Sequence, residues 1–224
     1  MLAAILPVVN GRYQVTAAQR DTRNKGVTRA MVAAVAAEIL DEGGIQALSM
    51  RRVAVRLGVS PMALYNHVQN KSELLALLAD HLRAQVIIDT TLPPREQLLS
   101  LLTRLRDLGA QHPALLEGPL ELNTSAHAAD LALTELRLLH DLGLTPAQVR
   151  VAYQGLVLLV NGAAVVWRAR AQSPRATDHL KELIRDADLD GSQHLAALDA
   201  LPLQSSEEIF ALAVDQVLRA AAEF

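Results

Sequence analysis

Between Ser49 and Lys71 the chain reads SMRRVAVRLGVSPMALYNHVQNK, and this stretch restricts the fold more than any other. Ser49 can cap a helix running to Leu57, and Gly58 can end that helix in a left-handed turn. Ser60 then caps a second short helix, PMALYNHV, in which Pro61 fits the first position because its missing N–H would have been unpaired there. Asn70 with Glu73 makes a capping box for a further helix to about residue 88, apolar at Leu74, Leu75, Leu78, Leu82 and Val86. Two short helices hinged at Gly58 form a helix-turn-helix. Val53, Leu57, Val59, Leu64 and Val68 supply its core, and Ala54 is small where the helices approach.

The rest of the chain is written in the same helical grammar. Hydrophobic residues make up 51% of the 224 and aromatics only 3%, with Leu, Ala and Val dominant, which favours helix over sheet. Residues 1–26 hold no sustained period and read as an arm with a basic end, RDTRNKG. Thr28 caps a first helix that places Met31, Val35 and Ile39 at helical spacing and closes on Gly43-Gly44. Pro93-Pro94 breaks the chain. Helices follow at about 95–111, 125–142 (stopped by Gly143), 145–171 and 175–185, with a short turn near 113–120. After the acidic loop DADLDGSQ, Ser205 and Glu208 open a last helix. The fold class expected is all-α: an arm (1–26), a three-helix helix-turn-helix domain (27–72) with a linking helix at about 71–88, and a larger C-terminal helical domain (89–224).

Charge separates these parts. The chain as a whole carries −3, yet residues 1–72 hold nine Lys/Arg against four Asp/Glu, whereas residues 73–224 hold twelve against twenty. The basic part is the one that can meet phosphate. On PMALYNHV, Leu64 and Val68 point inward, leaving Ser60, Pro61, Met62, Ala63, Tyr65, Asn66 and His67 for the outer surface. Tyr65 and His67 carry donors suited to phosphate oxygens, Lys71 adds a point charge, and Arg51 and Arg52 can reach an adjacent strand. Met62 and Ala63 offer apolar contact to a thymine methyl, and Asn66 can pair with adenine. Arg56, and Arg20, Arg23 and Lys25 of the arm, are as well explained as solvated charges.

Thr28 to Leu82 closely resembles the N-terminal domain of the tetracycline-repressor (TetR) family, through a first helix ending in EGG, then ALSMRRVAVRLGVS, then LYNHVQNKSELL. The resemblance implies an all-helical homodimeric transcription factor, usually a repressor, whose C-terminal domain binds a small molecule that releases a palindromic double-stranded DNA operator. It also implies phosphate contacts from Tyr65, His67 and Lys71, and base reading from residues 60–63 and Asn66. Where the tetracycline repressor opens its recognition helix with Gln-Pro-Thr, this chain has Pro61-Met62-Ala63, so its operator should differ.

The C-terminal part must supply a dimer and a pocket. The 145–171 helix is apolar nearly all round, so it needs cover on most sides. Gly155, Gly162, Ala163 and Ala164 permit close approach, and the last helix offers Leu212, Ala213, Val217 and Ala220, so two such helices per subunit could form an isologous four-helix interface. Two recognition helices would then lie one helical turn apart, roughly 34 Å. Pocket candidates are the apolar Leu105, Leu116, Leu120, Tyr153 and Trp167 with the polar His112, Asn123, His127, Gln154 and Asn161. Asn161, in a very apolar helix, needs a buried partner. The sequence AAVVWRARA after Gly162 lacks the carboxylates of the tetracycline repressor's acidic cluster, so no metal is expected and the effector should be organic and largely apolar.

Other classes find less support. The chain has no cysteine, hence no disulfide, thiolate metal site or thiol nucleophile. No phosphate-cradling glycine loop, HExxH or GxSxG is present, and the histidines are scattered, so neither catalytic residues nor a cofactor are expected. The opening MLAAILPVV is short and broken by proline, and 156–167 is too short to span a bilayer, so the chain reads as cytoplasmic with no membrane partner. The competing reading is a helical protein-interaction module that does not bind DNA.

Overall fold

Side-chain caps set the helix boundaries of the first half. A computed structural model describes residues 8–9, 12–13, 26–117, 125–173 and 206–224. Helix α1 (Arg29–Ala47) starts where the Thr28 hydroxyl accepts from the Met31 N–H at 3.2 Å. Its regular turns stop at Gly43-Gly44, as expected. Gly44 takes φ 67° and ψ −173°, a conformation that costs glycine little, and the helix kinks there before a further turn to Ala47. Ser49 caps α2 (Met50–Leu57), accepting from the Arg52 N–H at 3.2 Å, and Gly58 closes it in the left-handed region at φ 71°. Ser60 accepts from the Ala63 N–H at 3.2 Å and, with Pro61, opens α3 (Pro61–Tyr65).

Helix α3 is shorter than the expected 61–68. Asn70 must be extended, at φ −159°, for its carboxamide to accept from the Glu73 N–H at 2.8 Å and start α4 (Lys71–Arg83). The chain turns after Tyr65, and Val68, beyond the end of α3, is fully buried. The return half of the capping box is displaced by one residue, since the Glu73 carboxylate accepts from the Gln69 N–H at 2.8 Å. Helix α4 ends at Arg83 rather than near 88.

Val32, Ala36 and Ile39 of α1, Leu48 between α1 and α2, Val53 and Ala54 of α2, Leu64, Val68, and Leu74, Leu78 and Leu82 of α4 are all buried in the first compact unit. Each buried Leu or Val side chain contributes about 1.5–3 kcal/mol. In the arm, Val8–Val9 (β1) pairs antiparallel with Arg12–Tyr13 (β2), a short ladder that the sequence did not suggest.

The compact units comprise Met1–Gln85 with Gly118–Ala129, and Val86–Glu117 with Asp130–Phe224. The second contains α5 (Pro94–Gln111), α6 (Ala114–Glu117), most of α7 (Ala126–Asp141), α8 (Pro146–Gln172) and α9 (Ser206–Ala222). The expected 175–185 helix and the Ser205 cap lie outside the described residues. Thr145 and Gln148 form the capping box of α8, and the Gln148 amide reaches across to donate to the Ala222 carbonyl at 2.8 Å. Arg95 pairs with Asp215 at 2.6 Å and ties α5 to α9.

Helix α8 works on two sides. Ala152, Leu156, Val160 and Ala164, four residues apart, form its buried row, packed with Leu98, Leu101 and Leu102 of α5, Leu138 and Leu139 of α7, and Phe210 and Val214 of α9. A Cβ built on Gly155 would meet Val217 Cγ1 at 2.8 Å, and one on Gly109 would meet Leu116 and Ala164. Gly155, Ala164 and Val217, expected to face a second copy, thus pack within the chain. The opposite side of α8 exposes Leu158 (73%), Val165 and Val166, and α9 exposes Ile209 and Leu212. By length and composition α8, at 27 residues, is apolar enough to cross a membrane; the 156–167 stretch judged too short is only part of it.

Gly155→Val should destabilise the protein by about 1–3 kcal/mol, because Val217 is short and β-branched and cannot swing aside. Urea unfolding followed by circular dichroism would measure the loss.

Candidate nucleic-acid interface

The surface built by α2, α3 and the α3–α4 turn follows from which side chains the core claims. Leu64 is fully buried, so Pro61, Met62, Tyr65 and Asn66 are exposed around it, with Ala63 and His67 half-buried and Met62 leaving 77% of its surface in solvent. Ser60 caps α3 and is exposed. Lys71, at the first position of α4, is exposed, as are Arg51 and Arg52 on α2. An exposed Met, Tyr and Asn on one short, capped helix form a mixed apolar and hydrogen-bonding surface on a fixed backbone.

The cations of this unit are not equally available. Arg56 donates to Glu42 at 2.9 and 2.6 Å and lies 3.5 Å from Glu38. The bond from Arg56 holds the Glu42 carboxyl below its usual pKa, and the same bond raises that of Arg56. Arg52 lies 3.5 Å from Glu42. Arg56 is therefore directed at α1, and Arg52 is partly so, while Arg51 and Lys71 are exposed without an ion pair among the described residues.

One positioning residue was not anticipated. Arg29, at the start of α1, donates from Nη1 to the His67 carbonyl at 2.5 Å and pairs with Glu73 at 2.6 Å. Glu73 is held below its usual pKa by the Gln69 N–H first and by Arg29 second. This arginine fixes the turn that carries His67, across 38 residues of sequence, and nothing in local spacing signals it.

The comparisons with known proteins fit this geometry. The family model described as bacterial regulatory proteins, tetR family, matches residues 32–78, from α1 into α4. A curated HTH-type transcriptional regulator of Saccharopolyspora erythraea is 31% identical over 98 residues, 42% of each chain. Matches to curated relatives therefore span less than half of those relatives' own length. Among solved structures, BioQ with its double-stranded DNA operator is 32% identical at a TM-score of 0.56, over 71% of this chain and 97% of that one. The chain belongs to the tetR family. The Streptomyces coelicolor family protein ActR in complex with actinorhodin, 24% identical at a TM-score of 0.71, covers 88% of this chain and 96% of its own. That likeness shows the fold: an N-terminal helix-turn-helix domain and a larger C-terminal helical domain.

In this family member the residues proposed from sequence to line a pocket fall in both compact units and partly outside the described residues. Leu105, Leu116, Tyr153 and Trp167 are half-buried and His112 is buried, all in the second unit. Gln154 and Asn161 are exposed on α8 in a single copy. Asn161 lies three residues from Leu158 on the outward side of α8. His127 belongs to the first unit, where its N–H and ring Nδ1 meet the Asp80 carboxylate at 2.9 and 2.8 Å. Burial alone would raise the pKa of Asp80, but the His127 N–H, the Ser125 hydroxyl and the His127 ring lower it. Leu120 and Asn123, like Arg20, Arg23 and Lys25, lie outside the described residues.

Two buried charges in the second unit were missed. Arg106 is 2% exposed and Glu135 is 4% exposed. Each interrupts an apolar row, Leu98-Leu102-Arg106 on α5 and Leu131-Glu135-Leu139 on α7, and that interruption was the available signal. Desolvation pushes the Glu135 carboxyl up to about 7, and burial together with Glu135 raises Tyr153.

A folded-state pKa above 4.5 means that the native protein holds this proton where the unfolded chain has lost it. Stability from this group is thus full below pH 4.5 and is lost as pH rises through about 7. The loss is on the order of 3 kcal/mol. Glu135→Gln should flatten that pH dependence and stabilise the protein at about pH 8, checked by urea unfolding across pH.

Proposed function

We propose that the chain is a homodimeric, ligand-responsive transcriptional regulator: a repressor that holds a palindromic operator and is released by a small organic effector. The observation that carries this reading is the exposed α3 surface, rigidly mounted by the Ser60 cap and the buried Leu64 beneath it. Tyr65, His67 and Lys71 take phosphate contacts, Arg51 and Arg52 an adjacent strand, and residues 60–63 with Asn66 the base edges. The family relative BioQ has been solved with its operator, and ActR with actinorhodin, which supports both halves of the reading.

Dimer formation rests on the outward sides of α8 and α9. Leu158, Val165, Val166, Ile209 and Leu212 are exposed in one copy, and Gly162, where an added Cβ would meet nothing within 4 Å, leaves room for a facing helix. A second copy docking by two-fold symmetry covers the same stripe on both chains. The effector acts by favouring one spacing of the two α3 helices; a hundredfold preference shifts operator binding by about 2.7 kcal/mol.

Selection of bound duplexes from a random pool should return an inverted repeat; failure to enrich any sequence overturns the reading. Against the selected duplex, Tyr65→Ala or Lys71→Ala should weaken binding roughly tenfold with unchanged base preference, as expected for phosphate contacts. Leu158→Asp should yield monomers in analytical ultracentrifugation and lose tight operator binding, while circular dichroism keeps its helical signal.

A further inference from the structure

We infer that Arg106 is the anchor for the oxyanion of a flat aromatic acid, which names the class of effector. This rests on the ligand-responsive reading above. The guanidinium is 2% exposed, and its carbon lies 4.0 Å from the centroid of the Trp167 ring and 4.7 Å from that of Phe210. Nε and Nη2 both donate to a single oxygen of Asp107, at 2.9 and 2.7 Å. That uses one edge of the fork. On the other edge Nη1 is sealed from solvent, and no acceptor among the described residues reaches it.

A buried donor left without an acceptor costs about 1–3 kcal/mol, and the apolar row of Leu98 and Leu102 shows that leucine would suit the position. Stacking on Trp167 and Phe210 and the bonds to Asp107 account for the faces and one edge of the guanidinium, and leave Nη1 without an acceptor. The free edge, Nη1 with the second N–H of Nη2, matches two oxygens of a carboxylate. The flanking rings favour a planar skeleton, which can stack on the indole. A cationic or metal-bound ligand would be repelled by the guanidinium. This proposal adds an acidic group to the largely apolar effector expected from sequence. Asp107, whose side chain is 41% exposed, partly neutralises Arg106 and so limits how tightly an acid is held.

Trp167 is the sole tryptophan, so its emission reports on this site directly. The full chain is titrated with 2-naphthoate and, separately, with its neutral methyl ester. Saturable quenching by the acid is expected, with the ester weaker by about tenfold or more, as a charge-assisted fork demands. Arg106→Gln should abolish the response and Arg106→Lys should weaken it. Asp107→Asn should tighten acid binding about threefold or more by removing the competing carboxylate. Should Arg106→Gln fail to fold by circular dichroism, Asp107→Asn decides, and unchanged or weaker binding there overturns the inference. An ester that binds as well as the acid also overturns it, as does absence of quenching up to about 1 mM acid, the threshold of useful affinity. The same preparations are tested on the selected duplex. Duplex binding without naphthoate binding removes the Arg106 assignment and leaves the regulator reading standing, whereas folded protein that enriches no duplex removes that reading itself.

Discussion

Burial of Leu64 and Val68 is the constraint on which the N-terminal unit depends. Both are fully buried, Leu64 within α3 and Val68 in the turn after it, so seating them fixes which face of α3 turns inward. Once that face is set, Met62, Tyr65 and Asn66 have no choice but to face outward. The left-handed Gly58 and the Ser60 cap then determine where α3 begins. The surface proposed to read DNA is thus a by-product of packing: its polar and apolar groups are positioned by residues that never reach it. Arg29 completes the arrangement by holding the carbonyl of His67 from the first residue of α1.

Much of this was legible because it is local. Thr28, Ser49, Ser60, Asn70 and Thr145 each act within three residues, and each caps a helix where its side chain suggested. What could not be read are decisions made at a distance. The Arg29 to Glu73 pair spans 44 residues, and the Arg56 to Glu42 pair joins helices whose proximity no periodicity reports. Helix ends were also misjudged, as at Tyr65, where α3 stops three residues before the expected Val68.

The second unit was harder, and α8 shows why. A helix apolar on nearly every side gives no phase to a periodicity argument, so nothing in the sequence tells the row Ala152-Leu156-Val160-Ala164 from the outward Leu158-Val165 stripe. Small residues were equally ambiguous: Gly155 serves Val217 of its own chain, whereas Gly162 faces open space. Arg106 and Glu135 were visible as breaks in leucine rows, but their weight comes from burial, which only the packed helices supply.

The Arg56 to Glu42 pair bears on how the protein meets different ionic surroundings. Both partners lie at the surface, so dissolved electrolyte loosens their attraction. The same electrolyte masks a polyanion, which means Arg56 is freed only when there is least for it to grip. A count of basic residues would therefore overstate how steeply such a protein lets go of its polymer as ions accumulate, since a guanidinium already spoken for by a neighbouring carboxylate releases few counterions of its own.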